Sequence, residues 1–88
     1  MDITESRKRI DEIDAEMTEL FLKRMSLSAG IAEYKKEKNL PIFNAEREKK
    51  IIEEEQKKSP EILQKYLKDF YENIFELSRK YQKEVIEK

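Results

Sequence analysis

The chain has 88 residues, enough for one small domain and too few for two. It contains no Cys and no His, which excludes disulfide staples, thiolate metal sites, a thiol nucleophile and the commonest general base. Charged residues make up 44% of it, yet 19 Lys+Arg nearly cancel 20 Asp+Glu, and a net charge of −1 argues against nucleic acid or an anionic membrane as partner.

One Gly, two Pro and no Trp make strand-and-turn architectures improbable. In the first predicted helix, apolar residues fall at Ile10, Ile13, Met17 and Leu20, then at Leu27, Ile31 and Tyr34. This 3-4 alternation is the seam of a helix packed along its length. Between Ile3 and Lys38 the one weak point is Gly30, read either as a close helix approach or as room beside a ligand. A helix of roughly 35 residues would be about 50 Å long, more than the rest of the chain can cover, so a partner chain is expected.

The segment Asn39-Leu40-Pro41-Ile42-Phe43 ends that helix, because Pro41 cannot continue it. Asn44 then caps a second helix running to about Lys58, with Glu46 and Glu48 at its positive end. Ser59-Pro60-Glu61 starts a third, with Ser59 as N-cap and Pro60 at the first helical position. It carries Leu63, Leu67, Phe70, Tyr71, Ile74, Phe75, Leu77, Tyr81 and Val85. The expectation is an all-α protein of three helices, one domain over residues 1–88. No apolar run approaches the ~18 residues of a membrane span, and the N-terminus lacks a secretory apolar stretch, so a cytoplasmic location is expected.

Polar residues interrupt the apolar stripes. Arg24 sits in the first helix's seam between Leu20 and Leu27, where a cation needs an anion. Lys35, eleven residues on, points within ~20° of Arg24, about 16 Å along the axis. Either both meet acids of a partner helix or they converge on one ligand. Arg47 and Glu48 precede Ile51 and Ile52 on the second helix, and Ser78 and Gln82 continue the line of Tyr71 and Ile74 on the third. Each pair reads as surface charge or a core hydrogen bond when taken alone. Together the six form a set rich in cations and donors, with no nucleophile and no titrating base. A cavity so lined suits a small dianion and can act only through conformational restraint and electrostatics. That suggests a rearrangement without metal or cofactor.

The sequence from Arg7 to Asp14, with Leu20, Arg24, Leu27, Ile31 and Lys35, resembles the first helix of the all-helical chorismate mutases. Leu40-Pro41-Ile42 and Asn44-Ala45-Glu46-Arg47-Glu48 are similar to that family's loop and second-helix start, and Ser78 and Gln82 match its third helix. The resemblance runs from about Ile3 to Val85. It implies an intertwined, domain-swapped homodimer of three-helix chains that turns chorismate into prephenate. It further implies that Arg24 pairs with a substrate carboxylate, Lys35 with a carboxylate and the ether oxygen, and that Gln82 donates to that oxygen. Glu48 would accept from the ring hydroxyl, with Arg47 and Ser78 on the carboxylates. Arg7 would come from the other chain. Arg7 and Arg24 of one helix lie roughly 25 Å and about 100° apart, too far for one small ligand to span.

Two positions depart from the family pattern. Asn44 stands where the family usually has Asp, with a part in the hydroxyl contact, and Ser6 replaces an apolar residue. The competing readings are an isochorismate-pyruvate lyase of the same fold and a non-catalytic helical dimer that regulates another enzyme. The Leu40–Glu48 segment reads more like a mutase, and a scaffold has no reason to place Arg24 in its seam.

Overall fold

The structure, a computed structural model, describes residues 2–87. Helix α1 (Ile3–Glu37) opens at Asp2, whose side chain accepts from the Thr4 N–H at 3.2 Å. Its 35 residues, at about 1.5 Å each, span nearly the whole 53 Å length of the molecule. The helix ends where the sequence breaks. Asn39 adopts the left-handed conformation at φ 55°, which Asn tolerates better than most residues. Asn39 N–H donates to the Lys36 carbonyl at 3.2 Å and Leu40 N–H to that of Lys35 at 2.8 Å. These paired bonds satisfy the last carbonyls in a Schellman closure.

Helix α2 (Ala45–Lys57) begins as expected at Asn44, whose side chain accepts from the Arg47 N–H at 3.1 Å. The third helix begins differently from the expectation. Ser59 does not cap it: its hydroxyl donates back to the Glu55 carbonyl at 3.0 Å and finishes α2. Pro60 is extended at φ −56°, ψ 141°, and a 3₁₀ turn, Glu61–Leu63, precedes α3 (Gln64–Ile86). Pro fixes φ at a value shared by helix and extended chain, so it does not decide ψ. The turn is closed by Gln56 and Gln64, each amide donating to the other's backbone carbonyl, at 3.1 and 2.8 Å.

Among the described residues there is no strand, and α1 and α2 pack mainly against α3. The resulting core is small: Ala32 and Phe75 are its buried apolar residues, and Ser28, Ser78 and Gln82 are buried polar ones. On α1 the covered positions include Phe21, Met25, Ser28, Ala29 and Ala32. The seam from Ile10 to Tyr34 lies roughly a quarter turn away and stays exposed, to 62% at Leu20 and 70% at Leu27. Residue size explains the choice within the chain. Ser28 and Ala32 let α3 come close, whereas Leu27 and Ile31 would hold it off. A side chain built at Gly30 would meet nothing within 4 Å, so inside this chain Gly30 serves no close approach.

Candidate active site

A cavity of about 310 Å³ opens where α1, the start of α2 and the C-terminal half of α3 converge. That volume lies at the lower end of the range for small-molecule sites. Arg24 and Lys35 reach it from α1, Asn44, Arg47 and Glu48 from the N-terminus of α2, and Ser78 and Gln82 from α3. Gly30 does not line it. Arg7 is exposed near the far end of α1, outside the cavity. Arg24 and Lys35 lie between the face of α1 turned to α3 and the exposed seam, and Leu27 and Ile31 of that seam form part of the wall.

The floor is a buried chain of small polar groups. The Ser28 and Ser78 hydroxyls lie 2.9 Å apart, and the Gln82 amide Nε2 donates to Ser78 Oγ at 3.0 Å. Gln82 is 7% exposed, and its Oε1 is buried with no hydrogen-bond partner. An orphaned buried acceptor costs about 1–3 kcal/mol. Nε2 carries a second N–H beside the one given to Ser78, and Gln82 lines the cavity. The floor therefore includes a neutral donor that no pH change near neutrality can remove.

The walls set four cations, Arg24, Lys35, Arg47 and Arg79, among apolar side chains. The Arg24 guanidinium lies 5.6 Å from the centre of the Phe75 ring, and Phe75 is itself buried, which fixes the platform. Lys35 Nζ donates to the Ile42 carbonyl at 2.7 Å and so ties the loop before α2 to α1. The free N–H groups at the start of α2 add positive potential. Glu48 is the acceptor among these groups, half-buried and ion-paired with Arg79 of α3. The arrangement can hold a small dianion between cations from different helices, with one carboxylate left to accept from a hydroxyl.

Three residues of this site escaped the sequence reading. Ser28 lies four residues after Arg24 and seven before Lys35, so its face was readable, but a serine within a helix carries no signal of its own. Arg79 lies three residues before Gln82, beside the functional line, and reads as surface charge. Phe75 was placed in the core without its role under Arg24.

The sequence profile described as chorismate mutase type II matches residues 6–83. A chorismate mutase of Methanocaldococcus jannaschii is 43% identical over 51 residues, 58% of this chain and 52% of that protein. A bifunctional chorismate mutase/prephenate dehydratase of Aquifex aeolicus is 44% identical over 52 residues, 59% of this chain and 14% of that protein. The matched part thus spans about half of the first relative and a small part of the second. No solved structure matches the chain.

Proposed function

This chain belongs to the chorismate mutase type II family, and from that premise we propose that it converts chorismate to prephenate in aromatic amino acid biosynthesis. The observation that carries the reading is the lining of one cavity. Arg24, Lys35 and Arg47 surround it, Glu48 accepts, and Ser78 and Gln82 close the floor. The substrate bears two carboxylates, an ether oxygen and a ring hydroxyl. Its rearrangement breaks the ether C–O bond as a C–C bond forms, with no atom gained or lost. Such a reaction needs a folded conformer and a donor for the charge that grows on the ether oxygen.

In this reading Arg24 pairs with one carboxylate, and Lys35 reaches a carboxylate and the ether oxygen. Gln82 Nε2 donates to that oxygen. Glu48 accepts from the ring hydroxyl, while Arg47 and Ser78 hold the carboxylates. Asn44, in place of the usual Asp, keeps its capping bond and brings no charge to the hydroxyl. The active form is an intertwined homodimer in the cytoplasm, each chain forming one domain over residues 1–88. The exposed seam of α1 supports this, since it leaves Leu20, Leu27 and Ile31 half or more exposed. Arg7 supports it too, because only a second, antiparallel α1 brings an Arg7 to the cavity.

The test is incubation of the purified protein with chorismate, and separately with isochorismate, with products identified by NMR. Prephenate from chorismate is the expected result. Pyruvate from isochorismate alone would identify a lyase, and turnover of neither would leave a non-catalytic helical dimer.

A further inference from the structure

We infer that Arg79 is a positioning residue for Glu48: it holds the carboxylate in place and offsets its charge, which keeps the cavity open to a dicarboxylate. This rests on the function proposed above. The other ion pairs among the described residues join positions three or four apart on one helix or at its end, and apart from Glu55 their side chains are largely exposed. The Glu48–Arg79 pair differs on both counts. It crosses from α2 to α3, and its side chains are 22% and 33% exposed, so salt and water screen it less. The guanidinium is also fixed from a second side, 5.0 Å from the centre of the Phe43 ring in the loop before α2. Arg79 is thus held by an aromatic face and a carboxylate at once.

The consequence for the cavity is electrostatic. Glu48 is an anion inside a site that must admit a dianion. Without Arg79 it would repel the ligand and draw Arg47 or Lys35 toward itself. With Arg79 engaged, those cations stay available. A repulsion present in both the bound substrate and the transition state changes KM far more than kcat.

The experiment is steady-state kinetics on chorismate for wild type, Arg79→Gln, Arg79→Lys, Glu48→Gln and the Arg79→Gln/Glu48→Gln pair, at low and high salt. Thermal melting of each variant accompanies it. Arg79→Gln is expected to raise KM about tenfold with kcat changed less than about threefold, as for one unscreened charge near the ligand. The rise shrinks in high salt, and Arg79→Lys recovers most of it. In the Glu48→Gln background, Arg79→Gln raises KM no further. Where Glu48→Gln is too slow for a KM, calorimetric binding of prephenate is read with the same expected ratio. An equal KM penalty in both backgrounds would overturn the inference, because Arg79 would then touch the ligand itself. So would an unchanged KM with a lowered melting temperature, the mark of a merely structural residue. Wild type inactive on chorismate removes the proposed function, and the role of Arg79 with it. An active wild type beside an unaltered Arg79→Gln removes the role alone.

Discussion

The two halves of α1 are alike in sequence pattern and unlike in surroundings. From Phe21 onward the helix leans on α3: Ser28 and Ala32 are buried, and Arg24 and Lys35 are anchored by Phe75 and the Ile42 carbonyl. From Ile3 to Leu20 almost every residue is exposed, including Ile10, Ile13 and Met17 at about half of their surface. Periodicity marks both halves as packing surfaces, but it does not say which chain does the packing. The difference lies in the partner side. The C-terminal half turns its own small residues Ser28 and Ala32 to α3 of the same chain, and the N-terminal half presents large apolar side chains that none of the described residues buries.

The largest effect is expected where each half supplies one cation. Arg24→Ala and Arg7→Ala should each lower kcat/KM about a thousandfold, the scale of removing a donor from a charge-stabilising site. Refolding the two variants together should restore about a quarter of the sites, because half of a random population is mixed and each mixed dimer keeps one intact site. Heterodimers that form without recovered activity would show that the uncovered half supplies no residue across an interface.

A stability comparison follows. Phe75→Ala should cost about 3 kcal/mol at any protein concentration, since it empties a core that one chain builds alone. Ile13→Ala should instead lower the denaturation midpoint in a way that depends on dilution. Melting curves of both variants and of wild type at two concentrations decide this. A wild-type midpoint independent of concentration, with a monomeric mass in ultracentrifugation, would abolish the contrast between the halves.

Gln82 probes the covered half with a charge. Gln82→Glu should be about a hundredfold slower at pH 7 and recover as pH falls, because only the protonated carboxyl donates to an oxygen gaining charge. Burial raises the pKa of the introduced carboxyl above its unfolded value. The folded form is therefore favoured below the unfolded pKa and loses that advantage as pH rises through the folded one. Activity and melting temperature should decline together as pH rises from about 5 to 7, around and above the reference Glu pKa. A variant that stays folded in acid and does not speed up would remove Gln82 from the mechanism.

The smallest effect concerns Gly30, where an added methyl has open space within the chain. Gly30→Ala should stabilise the protein by about 0.5–1 kcal/mol through helix propensity alone. Chemical denaturation measures it. A loss of stability would mean that a second chain presses on this position.

What the sequence made legible follows from local rules. Pro41, Asn44 and the eleven-residue spacing of Arg24 and Lys35 speak through short-range geometry, and the helices and the α2 cap came from them. The grouping of six polar residues came from their place on or beside the apolar stripes, and Asn44 joined them through the family resemblance. What stayed hidden depends on partners far away in the chain. Ser28 matters because Ser78, fifty residues later, meets it. Arg79 matters because Glu48 and Phe43 lie across a helix boundary. Ser59 was misread because its hydroxyl has two helix ends within reach, and the carbonyl of Glu55 takes it.

The bond from Lys35 to the Ile42 carbonyl has a consequence for disorder rather than for charge. A lysine that swings freely gives up as much as roughly 2 kcal/mol of rotamer freedom when it grips a ligand. Lys35 surrenders much of that freedom when the loop closes during folding, and its ammonium still has two N–H groups to offer. Under the proposed function, binding would then draw on a side chain already held in place, and the loss of motion that weakens most lysine contacts would fall on the folding step instead.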